Sequence, residues 1–467
     1  MPTAVATAPC LSLTAQDVAA TVNALEAYQA IYSPLLARRE QRSQLALYWR
    51  GLLAELPRKS IEPIVLRLHG ADLSAVRTLQ TFVNQGAWDD NLLLRRHWQE
   101  VELDLGCEQG VLIVDGSDFP KQGPHSVGVK RQYCGELGKR ANCQAGVFVS
   151  YASAKGYTWL HRRLYLPEEW LTDDAFTERR ERCGIPAETR FATKPELALE
   201  MLREVTEAGT LRCRWLAADE AFGRDTAFLD GVAGLGLWYF AEVPHDTQVW
   251  LERPLTGLPE WSGRGRKPKR ERVLGGASGQ TVAVLAEPLE ASEWRLRLIQ
   301  EGSQGPQEAE FASRRVVGGR AGLPGPEVWL VWRRNPVSGE LKTYLSNAPV
   351  ETSELELARL SGMRWPVEMC FTEGKQLLGM GSYELRSWVG WHHHQTLVLL
   401  AHFFVVRTSR ELKKSTGSDV GADGVAAGSS VEASEVGRGV CVGGGELLPA
   451  EELQCVPVTS KEASERA

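Results

Sequence analysis

Asp115 in GVLIVDGSDFPKQG, Asp219 in RWLAADEAFGRD and Glu368 in RWPVEMCFTEGK are three acidic residues in three different settings. The first two each end a short apolar run, which predicts a carboxylate at a strand end. The third stands just after Pro366, a residue at home in a first helical turn, so a helix should begin near Trp365. Carboxylates delivered from two strand ends and one helix can converge on a pair of divalent metal ions, the requirement for in-line phosphoryl chemistry on nucleic acid. Three ionised carboxylates in contact repel by roughly 4 kcal/mol per pair at 4 Å for an effective dielectric of 20, so bound cations are needed. Oxygen-only ligation points to magnesium or manganese rather than zinc.

Each acid has a bland alternative. An Asp at a strand end is just as often a turn-former, and Asp115 is followed by Gly116 and Ser117, which predict a turn there. Glu220 would face away from Asp219 if the strand continued, so it reads as a cap or surface residue. Glu373 competes with Glu368, but at about 100° per residue Glu368, Thr372 and Lys375 share one stripe, with Glu373 roughly 140° away. On that face Lys375 would bring a cation to a DNA phosphate, and Arg364 would hold the chain or the DNA strand.

Basic residues outline a path for such a substrate. SGRGRKPKRER carries Arg264, Arg266, Lys267, Lys269, Arg270 and Arg272 in a loop broken by Gly and Pro, suited to tracking phosphates. Lys121, Lys130, Arg131, Lys139 and Arg140 follow Asp115 in a glycine-rich segment, as phosphate contacts rather than base readers. Arg38, Arg39, Arg42 and Arg50 decorate an early helix, either as a solvated face or as DNA contacts. His392, His393 and His394 fan out around a helix and cannot form one metal face, so a structural or DNA-backbone role is favoured. Trp365, Trp388 and Trp391 read as packing residues.

The elements that must position these residues follow from periodicity. Residues 15–100 carry apolar groups at three- and four-residue spacing and predict helices. At Val111 the pattern turns to β in VLIVD, AGVFVSYAS and YTWLHRRLYL, an antiparallel meander of three short strands. Helices are predicted around Ala175 to Arg182 and in KPELALEMLREVTEAG, then a strand in CRWLAAD, a helix near Asp225 to Gly231, and a strand in LWYFAEV, an order that argues for a mixed sheet covered by helices. Between 246 and 345 come short β-like pieces (TVAVLAE, EWRLRLIQE, EVWLVWRR, LKTYLS), read as a β-rich insertion, before helices resume in SELELARLSG, after Pro366 and in HHHQTLVLLAHFFVV.

Composition bounds the class. The 467 residues, 43% hydrophobic and 24% charged, suit a globular chain of two or three domains. Of the formal charge of −6, residues 411–467 contribute −5, and their Gly, Ser, Val and Glu content predicts disorder. The nine cysteines form no C-x-x-C pair, and the first residues lack a secretory pattern, which predicts reduced thiols and a cytoplasmic, nucleoid-associated protein. TLVLLAHFFVV is about half the length a bilayer requires, and predicts a buried helix.

Three long blocks, DGSDFPKQGPHSVGVKRQYCGELGKRANCQAGVF, ADEAFGRD and RWPVEMCFTEGKQLLGMGSYELRSWVGWHHH, resemble the DDE-type transposases of bacterial insertion sequences over roughly residues 20 to 410. The similarity is to the branch with a β-rich insertion before its third acid and a Tyr-Arg-Glu-Lys pattern, which falls on Arg364, Glu368 and Lys375, with Ser361 where the tyrosine would be. The resemblance implies an α/β fold: an RNase H-like mixed sheet flanked by helices, interrupted by a β-rich insertion and preceded by a helical domain. The implied division is 1–104 for end recognition, 105–245 and 346–410 for the catalytic core, 246–345 for the insertion and 411–467 for the tail. It also implies Asp115, Asp219 and Glu368 as catalytic ligands of two Mg2+ ions, with Mn2+ as a substitute. The implied reaction is cleavage by metal-activated water at the terminal inverted repeats, then attack of the 3′-hydroxyl on target DNA. Holding two ends of double-stranded DNA together calls for a homodimer. The alternatives are a DNA-binding repressor or bridging protein derived from such an enzyme, and a stand-alone metal-dependent nuclease.

Overall fold

The computed structural model describes residues 14–261, 266–302 and 305–415. Helices open it: α1 (Ala15–Tyr32), α2 (Arg39–Leu53), α3 (Ile61–His69), α4 (Leu73–Gln85) and α5 (Asp90–Leu105). Strands β1 (Val111–Pro120), β2 (Lys130–Cys134), β3 (Lys139–Ser153) and β4 (Gly156–Tyr165) follow. Next come α6 (Glu169–Thr172), α7 (Thr177–Cys183), α8 (Lys194–Glu207), β5 (Trp215–Ala218), α9 (Glu220–Gly223), α10 (Thr226–Gly234) and β6 (Trp238–Glu242). The region read as an insertion supplies β7 (Gln248–Trp250), β8 (Thr256–Gly257), β9 (Arg272–Val273), β10 (Gln280–Thr281), β11 (Arg295–Gly302), β12 (Gly305–Arg320), β13 (Leu323–Arg334) and β14 (Leu341–Ser346). The described chain ends with α11 (Glu354–Gly362), α12 (Trp365–Leu377) and α13 (Trp388–Ser415).

The central part of the chain is the predicted α/β arrangement, a mixed sheet flanked by helices. β1, β5 and β6 run parallel, and β3 lies antiparallel on the other edge of β1 with β4 beyond it. Val111–Val114 and Trp215–Ala218 are buried throughout, as parallel strands covered on both faces must be. Leu112, Val114, Leu216 and Tyr239 face one core shared with α1, α2, α4, α5, α8 and α13. Val111, Ile113, Trp215, Ala217 and Phe240 face a second core shared with Leu357, Ala358 and Leu360 of α11 and Val367 of α12.

Three readings need correction. β1 does not turn after Asp115: it runs on to Pro120, because β3 goes on pairing with it as far as Cys143 after β5 has ended at Ala218. The segment between Lys130 and Lys139 is not only turn but a further strand, β2, hairpinned to β3. TVAVLAE is scarcely a strand, since only Gln280 and Thr281 pair and Val284–Ala286 forms a 3-10 turn.

The 246–345 region extends the central sheet. β14 pairs with the outer edge of β6, followed by β13 and β12, which covers a strand edge that would otherwise expose backbone donors and acceptors. β12 was not among the pieces read from sequence. The first helices are likewise joined to the rest: Trp49 Nε1 donates to Leu397 O at 3.1 Å, Tyr28 OH to Leu400 O at 2.9 Å, and Trp98 Nε1 to Leu160 O at 2.9 Å. The run TLVLLAHFFVV is accordingly a buried part of α13, and among the described residues no helix is long and apolar enough to cross a membrane. The disorder expected from residue 411 does not begin there, since α13 runs on to Ser415; the rest of that tail lies outside the described residues.

The histidine triplet is structural. His393 stacks on Trp88 with ring centroids 3.5 Å apart, and His394 Nδ1 lies 2.7 Å from the Tyr48 hydroxyl. Burial pulls the His97 pKa to about 4 and those of His392 and His394 to about 3. These folded-state values lie below the unfolded value near 6.5, so on acidification the unfolded chain takes up the protons first. The histidine contribution to stability should be full above about pH 6.5 and fall steadily as the pH drops towards 4. Urea midpoints measured across that range should decline; a midpoint unchanged from pH 7.5 to 5 would show that these imidazoles are not buried in neutral form.

Candidate active site

Strand register builds the site. In the parallel ladders Val114 is level with Ala218, and Ala218 with Ala241, so the next residues, Asp115, Asp219 and Glu242, stand side by side where the parallel pairing stops, β5 and β6 ending there while β1 runs on. Side chains alternate along a strand, so these acids share the face of Val111, Ile113, Trp215, Ala217 and Phe240, the face packed against α11 and α12. That packing brings Arg364 and Glu368, at the start of α12, over the row. The predicted third acid therefore arrives from its helix as read, while Glu242 was missed. Its signal was present: LWYFAEV puts an acid at the end of an apolar strand, as RWLAAD does.

Asp115 and Glu242 are each 16% exposed, and Glu368, on the rim, 58%. Asp115 Oδ1 accepts from its neighbour Gly116 N–H at 2.7 Å. Asp219 is itself the N-cap of α9, Oδ1 accepting from Phe222 N–H at 3.3 Å, whereas Glu220 is an exposed surface residue 3.9 Å from Arg224. A glycine is required just beyond, because a Cβ at Gly223 would strike the Glu242 carbonyl. That close approach seats the α9 turn against the end of β6.

Arg364 neutralises this cluster. Its guanidinium lies 3.6 Å from Asp115, 3.7 Å from Glu242 and 3.2 Å from Glu368. Burial lifts the Asp115 pKa to about 6, helped by Asp219 and opposed by Arg364. Burial opposes the charge on Arg364, yet Asp115, Asp219, Glu368 and Glu242 outweigh it and raise its pKa. The oxygen-only donor set of Asp115, Asp219 and Glu368 suits a hard divalent cation. Among the described residues no three acidic, histidine or cysteine side chains are gathered closely enough to hold an ion unaided. Here the positive charge comes from Arg364 and, beside Glu242, from Lys342 at 3.2 Å.

A cavity of about 170 Å³ opens beside the row, lined by Glu242, Arg333, Lys342, Tyr344, Ser361, Arg364 and Glu368 among others. Ser361 is buried and turned into its own helix, Oγ donating to Ala358 O at 2.7 Å. A tyrosine nevertheless reaches this cavity: Tyr344, from β14.

The predicted basic residues are placed variously. Lys121 is tied to Tyr383, its Nζ 3.3 Å from the ring centroid and donating to the Tyr383 carbonyl at 3.0 Å, and burial lowers its pKa to about 7. Lys130 pairs with Glu169 at 2.6 Å, and Lys375 pairs with Glu136. Arg131, Lys139 and Arg140 are exposed on the β2–β3 hairpin, which continues away from the acidic row. Arg266, Lys267, Lys269 and Arg270 are exposed, with Lys267 5.3 Å from the Trp261 ring centroid; Arg264 lies outside the described residues.

The rival acid Glu373 is buried. Its Oε1 accepts from Tyr157 OH at 2.8 Å and its Oε2 lies 2.7 Å from His402 Nε2, on the side of α12 away from the row. Removing a buried, fully bonded carboxylate strands its partners, so Glu373→Ala should lower the free energy of unfolding by about 3 kcal/mol. Glu368→Gln, on the rim, should change it by no more than about 0.5 kcal/mol. Urea denaturation of both variants checks this, and equal losses would contradict the opposed faces of α12.

The described geometry coincides with clear sequence relationships. The family model of the DDE superfamily endonucleases matches residues 32–306. The curated "probable transposase for insertion sequence element IS701" of Microchaete diplosiphon is 26% identical over 373 residues, covering 79% of this chain and 84% of that protein. Among solved structures, a piggyBac transposase synaptic complex with hairpin DNA aligns with 92% of this chain and 77% of its own, at a TM-score of 0.40 and 12% identity. The NurA nuclease of Sulfolobus solfataricus aligns with 61% of this chain and 86% of its own, at a TM-score of 0.25 and 10% identity. With the family match spanning more than half of its length, the chain belongs to the DDE superfamily endonucleases.

Proposed function

We propose that this chain is an insertion-sequence transposase that binds the ends of its element, cleaves DNA there and joins the freed 3′-hydroxyl to target DNA. The observation that carries the reading is the set of Asp115 and Asp219 side by side where the parallel pairing of β1 and β5 stops, faced by Glu368 from the first turn of α12. Endonucleases of this family use divalent metal ions. Asp115, Asp219 and Glu368 would hold them, as two Mg2+ ions or Mn2+ in their place. Bound there, the ions would supply charge stabilisation for in-line displacement at phosphorus.

The chain's own residues do the rest. The packed strands β1 and β5 fix Asp115 and Asp219, while Glu368 on the rim adjusts to the substrate. Positive charge on exposed segments supplies the DNA path: Arg131, Lys139 and Arg140 on the β2–β3 hairpin, and Arg266, Lys267, Lys269 and Arg270 beside β9. Arg364 borders the cleft and Lys375 lies about two turns beyond Glu368 along α12, where a phosphodiester would draw them from their present carboxylate partners. In the first step water replaces the 3′-oxygen at phosphorus, and in the second the freed 3′-hydroxyl displaces a 3′-oxygen of target DNA. Coupling the two ends of one element requires two copies of the chain on the DNA, a homodimer, with residues 1–104 reading the ends.

Purified protein should nick DNA carrying the flanks of its gene at matching inverted repeats, in a magnesium-dependent manner. Asp115→Asn, Asp219→Asn and Glu368→Gln should each abolish the cuts while leaving DNA binding intact. Binding without cuts by the native protein would sink the enzymatic reading in favour of a DNA-bridging role. Replacing Arg266, Lys267 and Lys269 together should flatten the salt dependence of binding, by roughly 0.9 in log–log slope for each phosphate left without its cation. An unchanged slope would take that loop off the DNA path.

A further inference from the structure

Glu242 is the carboxylate that neither the sequence motifs nor the three-acid reading uses. It closes the row begun by Asp115 and Asp219, it is largely buried, and it is bracketed by two cations: Lys342 Nζ at 3.2 Å and Arg364 Nη1 at 3.7 Å. Arg364 reaches the other way with its second nitrogen, Nη2, to Asp115 and Glu368. One guanidinium thus spans the proposed metal ligands on one side and Glu242 on the other. Its contacts are long for charge-assisted hydrogen bonds, which normally fall near 2.7–2.9 Å, and its Nε is buried without a hydrogen-bond partner. Arg364 is held mainly by the field of the surrounding carboxylates, and little directional bonding opposes its movement.

Resting on the transposase reading of this site, we propose that Glu242 is a positioning residue for Arg364, the receiving end of an arginine that leaves Asp115 and Glu368 when divalent cations bind. The charges dictate the direction. A divalent ion beside Asp115, Asp219 and Glu368 repels a guanidinium that lies within 4 Å of Asp115 and Glu368, and in a half-buried cleft that repulsion is screened far less than in water. Glu242 already lies within reach of Nη1, so Arg364 keeps a carboxylate partner after releasing the other two. Lys342 keeps Glu242 neutralised meanwhile, so Glu242 carries no unpaired charge in either state. Without Glu242, Arg364 would have no partner to retire to and would compete with the incoming ions.

The test is a double-mutant cycle on the full chain without DNA, reading Mn2+ affinity by calorimetry. Arg364→Gln removes the competitor and should tighten Mn2+ binding on the order of tenfold, a usual size for coupling between neighbouring sites. Glu242→Gln should weaken it by a similar factor while Arg364 is present and have no effect in the Arg364→Gln background. Glu242→Asp, which keeps the charge, should restore most of the native affinity, and thermal unfolding of each variant confirms that it folds. If Glu242→Gln weakens binding equally with and without Arg364, Glu242 is itself a ligand and the positioning role is wrong. An Arg364→Gln affinity equal to native would also overturn it. Asp115→Asn separates the two levels of argument: if Mn2+ still binds that variant at native strength, the metal site itself has been misassigned.

Discussion

Like charges crowded in a half-buried cleft are the constraint on which the rest depends. Asp115, Asp219 and Glu242 stand abreast where the parallel pairing of β1, β5 and β6 stops, Glu368 leans over them, and burial already pushes the Asp115 carboxyl up to about 6. Such a cluster persists only with positive charge inside it. Here that charge is Arg364, which touches three of the four acids and feels the field of all of them. A site that needs a cation to exist is also one that a divalent metal can take over, and this links the architecture to phosphoryl chemistry.

The surrounding structure holds those carboxylates against their repulsion. The parallel pairing of β1, β5 and β6 fixes the level of three acids by backbone hydrogen bonds, and burial of Val111–Val114 and Trp215–Ala218 on both faces leaves the strands no freedom to slip. α12 is anchored on its far side by the Glu373–His402–Tyr157 cluster and by Gly374, where any Cβ would collide with Trp159. The helix therefore keeps Glu373 inside and presents Glu368 outside. β14, β13 and β12 then cover the edge of β6 and bring Lys342, Tyr344 and Arg333 to the wall of the cavity, so a segment that reads as an interruption completes one side of the site.

Tyr344 and Ser361 show how a motif position and a spatial position part company. The motif places a serine where a tyrosine would be, and that serine bonds to its own helix. A phenol is present in the same cavity all the same, contributed by a strand 17 residues earlier in the chain. Spacing along one helix carries no information about what a neighbouring strand brings to the same cavity.

Local chemistry made the α/β order, Asp219 at a strand end, the start of α12 near Trp365 and the separate faces of α12 that carry Glu368 and Glu373 legible in the sequence, because each follows from side-chain period, proline geometry or an apolar run. The buried setting of the histidine triplet was open to the same reasoning. Register and charge pairing were decided only by the tertiary structure. Nothing local says that β3 outlasts β5 along β1 and carries the strand past Asp115, that 246–345 joins the central sheet through β14, or that Glu242 is level with Asp219. Nor does spacing reveal that Lys121 is taken up by Tyr383, Lys375 by Glu136 and Arg364 by the acids themselves. Periodicity is a property of one segment, whereas register and ion pairing are settled between segments distant in sequence, by which edges are open and which charges burial brings together.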